Sequence, residues 1–307
     1  MSNNHRGEIF TILGALAFAF NGVVSKIVLK NGLSEWRLTE IRCGGAFAIL
    51  FLFVFLKNKT SLRVQRKELP WLFFYGIIGF AAVQVGYFIA IARMHVSIAL
   101  IIEFTAPIWI VLWIKYVRKK AVPRDMWIAI SLALLGLLLL AQVWQGMTLD
   151  GIGLIAAFLD AFALTGYFLL SEKLTPTRSV FSLTVWGLGF ATLAWIVCLP
   201  LWSFPVEIFT AHMNLEGVLN NYSMSGWVLL LWVIIPGTIV PYLLVLTGLK
   251  ELSASTSSVI GMLEPVFAGI VAWIWIGESW TFIQLLGGAI VIAGIFIADR
   301  ARSKVKR

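Results

Sequence analysis

Ten apolar runs, each close to 20 residues long, follow one another along this chain of 307 residues, with polar or basic stretches between them. About 20 residues of helix cross a hydrocarbon core of roughly 30 Å, and in lipid only helices or closed barrels satisfy every backbone polar group. The runs are Glu8–Lys30, Glu35–Leu56, Pro70–Ala92, Val96–Tyr116, Asp125–Val143, Asp150–Ser171, Ser179–Trp202, Gly226–Leu249, Ala254–Ile276 and Trp280–Asp299. They predict an all-α integral membrane protein with ten transmembrane helices. Composition agrees, since 60% of the residues are hydrophobic and 13% are charged, where a soluble domain carries about 25% charged residues. The first run lacks the short apolar region and small-residue cleavage site of a signal peptide, so it is expected to stay as a helix.

The net charge of +9 is placed by topology. With the N-terminus in the cytoplasm, the inner segments collect 19 of the 24 Lys and Arg, from Arg6 through the clusters Lys57–Lys67 and Lys115–Arg124 to the tail Arg300–Arg307. The longest outer connection, Ser203–Ser225, has only Glu207 and Glu216 as charges. The positive-inside rule therefore puts both termini in the cytoplasm, in a multi-pass protein of the cytoplasmic (inner) membrane. Basic loops of this kind are expected to touch anionic membrane lipid, and no nucleic-acid partner is expected. Cys43 and Cys198 lie near the outer ends of spans and read as small, buried apolar side chains. His5, His95 and His212 are too far apart in sequence to predict a metal site. No Gly-x-x-x-x-Gly-Lys-Ser/Thr phosphate loop occurs, and no cofactor is expected.

The chain also repeats itself. A shift of 158 residues lays Pro107 on Pro265, Ser97 on Ser255, Ile102 on Ile260 and Gly136 on Gly294, while a shift of 146 lays Gly7 on Gly153, Ala15 on Ala161, Ala17 on Ala163 and Ser25 on Ser171. Two units, 1–145 and 146–307, then have five spans each. Because five is odd, the second unit enters the membrane from the opposite side. Two inverted units enclose a site near the midplane and can expose it to each side in turn.

The second unit reads Leu249-Lys250-Glu251-Leu252-Ser253-Ala254-Ser255, then Met262-Leu263-Glu264-Pro265-Val266, Gly277-Glu278, and Gln284 with Gly287-Gly288 and Gly294. This ordered set resembles the EamA-type repeat of the drug/metabolite transporter superfamily. The first unit keeps Ser97, Pro107 and Gly136 but has Lys119-Lys120 where the Gly-Glu pair would fall. The resemblance implies a carrier of small metabolites, often an exporter of amino acids or related compounds.

Counted at about 1.5 Å per helical residue, several polar residues share the middle third: Asn21, Gln84, Tyr87, Glu103, Asp160, Tyr167, Tyr242, Ser257, Ser258 and Glu264. They are the candidate substrate-binding set, with interhelical hydrogen bonding as the plainer alternative. A carboxylate at this depth costs about 2.5–3.5 kcal/mol to insert and marks a pathway. Glu103 and Asp160 are expected to bind a proton or an ammonium group, or to pair with Lys26 or Arg42. Arg42, Pro107, Pro236, Pro241 and Pro265 are the candidate gating residues, Arg42 closing an outer gate with Glu103 and the prolines kinking spans four, eight and nine. Trp109, Trp113, Trp186 and Trp195 are expected to face lipid, and the tryptophans at span ends to form an interfacial belt.

The leading expectation is thus a secondary transporter that carries a small-molecule substrate by alternating access and is not an enzyme. A drug or quaternary-amine exporter is the alternative within transport. A membrane-embedded enzyme would need clustered catalytic groups such as His-Glu-x-x-His, which the sequence lacks. A passive channel is a third class, and association into a homodimer stays open.

Overall fold

The computed structural model describes residues 3–94, 96–144, 150–277 and 280–305; His95, Glu278, Lys306 and Arg307 lie outside them. Ten helical spans are present among the described residues: His5–Lys30, Glu35–Leu62, Leu69–Arg93, Ile98–Val117, Arg124–Ala141, Gly151–Leu174, Val180–Cys198, Gly226–Leu249, Ala254–Trp275 and Phe282–Ala301. They are spans one to ten below.

Local chemistry sets where several of them begin. Ser34, Asp150, Ser179 and Ser253 each stand just before a helix, and each side chain accepts a hydrogen bond from the backbone N–H three residues on. Such caps satisfy donors that the first helical turn leaves without partners. Span nine ends at Gly277, whose φ of +79° closes the helix in the left-handed region. Span seven ends at Cys198 rather than continuing to Trp202. Leu199 precedes Pro200 and is extended, with φ −130° and ψ 108°, because a proline disfavours the helical conformation in the residue before it. Cys198 is accordingly exposed, contrary to the expectation of a buried thiol, whereas Cys43 is buried.

The connection between spans seven and eight departs from an all-helical chain. His212–Asn214 pairs antiparallel with Ser223–Ser225, with His212 opposite Ser225. This small hairpin is fastened to the ends of spans one and nine. Lys30 Nζ lies 2.8 Å from a Glu216 carboxylate oxygen, and Trp275 Nε1 donates to the Leu215 carbonyl at 3.0 Å. The bundle thus has a hairpin face and, opposite it, a basic face. On the basic face Arg178 Nη2 donates to the Arg63 carbonyl at 2.6 Å and lies 3.3 Å from Glu68 through Nη1, joining the connection before span three to that before span seven.

Packing of the spans follows the internal repeat. Span one lies on span eight as span six lies on span three, span two contacts span seven, and span five lies along span ten. Small residues allow the last of these contacts. A Cβ on Gly136 would come within 2.6 Å of the Gly287 carbonyl, and one on Gly294 within 2.8 Å of the Ala129 carbonyl. Lipid supplies no hydrophobic drive between helices, so such close van der Waals approach holds the pair. The repeat also reaches the backbone: the π-helical segment Ile77–Ala82 of span three corresponds, under the shift of 158, to the π-helical segment Ile235–Ile239 of span eight. Two inverted five-helix repeats describe the fold.

Candidate functional site

Spans four and nine are both interrupted. Span four consists of Val96–Glu103 and Ala106–Leu112 followed by a π-helical turn, and span nine of Ala254–Gly261 and Glu264–Ile276. The intervening residues, Phe104-Thr105 and Met262-Leu263, correspond under the same shift. Pro107 and Pro265 fall in the first turn of each second piece, where a missing N–H costs no helical bond. The expected kinks of spans four and nine are two-residue interruptions, in which Thr105, Met262 and Leu263 stay in the right-handed helical region and each donates to the carbonyl three residues back. Span eight runs on through its π-helical segment.

The acids do not obey the symmetry. Glu103 closes the first piece of span four, while Glu264 opens the second piece of span nine. Helix termini carry partial charge, negative at the C-terminal end and positive at the N-terminal end. The backbone field therefore opposes an anion at Glu103 and favours one at Glu264.

Asp160 of span six joins these two, lying within electrostatic reach of both. Tyr87 is within reach of all three carboxyl groups and of Arg42. Asp160 is 1% exposed and packs on Gly86, where an added Cβ would sit 2.8 Å from the Asp160 Cβ. Its Oδ1 and the Oε2 of Glu103 are buried without a hydrogen-bond partner among the described residues. The expected ion pairs with Lys26 or Arg42 do not form among these residues; Lys26 is exposed, and Arg93 is paired with Asp150 at 3.6 Å. A buried carboxyl oxygen without a partner must be met by substrate, water or its own proton.

Arg42 is held elsewhere than at Glu103. Pro241 has no N–H, so the Gly237 carbonyl four residues back lacks its α-helical donor. Arg42 Nη2 donates to that carbonyl at 3.4 Å, and Nε donates to Thr238 Oγ1 at 3.1 Å. Thr238 Oγ1 in turn donates to the Val233 carbonyl at 2.6 Å. The guanidinium also lies 5.8 Å from the Phe88 ring centroid. Glu40, its neighbour in sequence, pairs with Arg37 at 2.5 Å. Arg42 thus brings a guanidinium to the π-helical segment of span eight, where Pro236 lies as well.

Tyr167 and Tyr242 belong to a separate layer. Tyr242 packs on Phe80 with centroids 4.4 Å apart and on Phe18 at 5.2 Å, while Tyr167 packs on Tyr75 at 5.9 Å and on Tyr242 at 5.8 Å. In spans three, six and eight these rings are nearer the basic face than Tyr87, Asp160 and Thr238 respectively. From Asp160 to Tyr167 the rise along span six is roughly 10 Å. Gln84 sits between the layers: its Nε2 donates to Cys43 Sγ at 3.6 Å, and its amide lies beside the Tyr242 hydroxyl. The shift of 158 superposes Gln84 and Tyr242 on each other.

Asn21 packs against Gly237, and Tyr167 packs in the same way against Gly79, whose added Cβ would lie 3.0 Å from the ring. Both are seated on π-helical glycines, and Ser25 Oγ donates weakly to Asn21 Oδ1 at 3.5 Å. Ser257 is fully buried with its hydroxyl unpartnered among the described residues, and Ser258 Oγ donates to the Ser255 carbonyl at 3.0 Å. Trp195 is buried and meets Trp36 edge-on, so it does not face lipid. Sequence reading passed over Thr238, Tyr75 and Phe80. The signal for Thr238 was its place between Pro236 and Pro241; for the two rings there was none, since aromatics are common on every span.

The model of the EamA-like transporter family matches residues 5–142 and again 151–298. The chain belongs to the EamA-like transporter family. Each match spans one five-helix unit, so the inverted repeat is two EamA domains in tandem. An uncharacterized transporter of Bacillus subtilis, YdfC, is 25% identical over 92% of this chain and 87% of its own length. The uncharacterized inner membrane transporter YicL of Salmonella typhimurium is 21% identical over 97% of this chain and 96% of its own length. The threonine/homoserine exporter RhtA of Escherichia coli is 27% identical over 85% of this chain and 82% of its own length. One crystal structure superposes with a TM-score of 0.77 over 98% of this chain and 99% of that one, at 14% identity, a likeness of fold. The relatives carry the names of transporters, and the chain is a multi-pass membrane transporter.

Proposed function

We propose that this protein exports small amino acids or closely related metabolites across the cytoplasmic membrane by alternating access, with both termini in the cytoplasm. The observation that carries the reading is the gathering of Glu103, Asp160 and Glu264 with Arg42 between two broken helices, on the hairpin side of a closed aromatic layer. A zwitterion presents an ammonium group to the acids and a carboxylate to the guanidinium. The partly exposed Tyr87, Glu103 and Glu264 against the buried Tyr75, Phe80, Tyr167 and Tyr242 support an outward-facing state. The likeness to the threonine/homoserine exporter supports the substrate class.

A carboxyl group without a cation partner exchanges a proton for an ammonium group at little cost in net charge, so substrate moves outward as a proton moves inward. The rings of Phe18, Phe80, Tyr167 and Tyr242, one layer toward the basic face from the three acids, also favour a second reading, export of a quaternary amine. Counterflow of labelled L-threonine in proteoliposomes separates the two. The first reading expects competition by homoserine and none by tetramethylammonium; the reverse order supports the second and removes the first.

A further inference from the structure

At the basic face a cleft of about 270 Å³ opens where the ends of spans four, six and ten meet the starts of spans five and nine. Its wall carries an ion pair between Arg118 of span four and Glu172 of span six. The other oxygen of Glu172 accepts from the backbone N–H of Ala254, the first residue of span nine, at 2.9 Å. One carboxylate therefore ties three spans together. Lys120 and Glu251 line the same cleft, and neither has an ion-pair partner among the described residues. The repeat does not reproduce this bridge at the other face, where Lys26 takes the place of Glu172 and Ile276 that of Arg118.

Two bases and two acids facing one small cleft suit a ligand that bears both charges. Val111 and Ile114 supply an apolar wall for its side chain. The volume falls just below the roughly 300–1,000 Å³ of drug-sized sites, which matches a ligand of few heavy atoms. We propose that this cleft is an entry site for a zwitterionic small molecule of the α-amino-acid type, which parts the Arg118–Glu172 bridge as it binds. The ammonium group takes Glu172 and Glu251, and the carboxylate takes Arg118 and Lys120. A zwitterion replaces both halves of the bridge. A molecule with one charge replaces only one half and strands the other, so it leaves the bridge closed. Parting the bridge frees the start of span nine, which leads toward Glu264. This inference rests on the amino-acid reading and adds to it a site on the loading side.

The test uses the full chain with Cys198→Ala and Ser255→Cys, in inside-out membrane vesicles, and follows labelling by a membrane-impermeant maleimide. Ser255 lines the cleft and is buried while the bridge is closed. L-Threonine is expected to speed labelling, whereas its methyl ester and its N-acetyl derivative, each lacking one charge, leave the rate unchanged. Glu172→Gln is expected to raise the basal rate about two- to fivefold, as for the loss of one part-exposed ion pair. Exchanging the charges, Arg118→Glu with Glu172→Arg, restores the ion pair but not the acceptor for the Ala254 N–H, so the rate should fall only part of the way back. Equal effects of threonine and its two derivatives overturn the proposal. So does an unchanged rate with threonine in vesicles that show threonine counterflow, which leaves the proposed export standing. An unchanged rate without counterflow of any amino acid removes both readings together.

Discussion

In span four the acid closes the half-helix before the break, and in span nine it opens the half-helix after it. The breaks themselves correspond residue for residue, with a proline in the first turn of each second piece. The π-helical segments of spans three and eight match as well, yet only the one in span eight is held by an arginine. Backbone breaks and close helix contacts repeat because they depend on small residues and prolines at fixed spacing. On the proposed reading the charges need not repeat, because each has to suit a substrate that is not itself symmetric. A symmetric frame can rock between two states while its asymmetric lining binds one kind of molecule.

That contrast predicts equal effects wherever the frame is substituted and unequal effects where the lining is. The largest effect is expected at the contact of spans five and ten. Gly136→Leu and Gly294→Leu should each lower stability by about 3 kcal/mol through overpacking, read as thermal unfolding in detergent. A clear difference between the two would break the symmetric account. The acids come next. Glu264→Gln should lose about 2 kcal/mol of substrate binding, the worth of a hydrogen bond to a charged group, while Glu103→Gln should keep transport and flatten its pH profile. If both variants lost affinity alike and kept the pH profile of the parent, the division of labour between the breaks would fail.

Arg42→Lys should cost about 1 kcal/mol, because a lysine cannot direct two donors to Gly237 and Thr238 at once. Thermal unfolding would show no change if the hydrogen bonds to span eight carried nothing. Asn21→Ala should be smallest, about 0.6 kcal/mol, the usual worth of a polar contact between spans. Transport by this variant is expected to match the parent, and a large loss would return Asn21 to the binding site.

Much of the frame was legible in the sequence. Runs of about 20 apolar residues admit little but membrane helices, and the spacing from Pro107 to Gly136, repeated from Pro265 to Gly294, announced the tandem units. The polar lining was legible as a set of depths, because rise along a helix is uniform. How the set divides was not: Tyr87, Glu103, Asp160 and Glu264 lie within electrostatic reach of one another, Tyr167 and Tyr242 belong to an aromatic layer, and Asn21 packs on a glycine. The hairpin His212–Ser225 was also hidden, since two three-residue strands leave no alternating pattern long enough to read.

What the sequence determined by itself was therefore the number of spans, the places where they break and the relation between the halves, all properties of local spacing and of solvent. Only the tertiary structure decided which way each helix turns about its own axis. A mid-membrane helix meets neighbours on several sides, and apolar residues suit lipid and protein alike, so the face that looks inward is chosen by close packing at Gly79, Gly86 and Gly237. Those contacts join residues far apart in the chain. They place Arg42 on span eight and leave Asp160 and Glu103 each with an oxygen lacking a protein partner among the described residues.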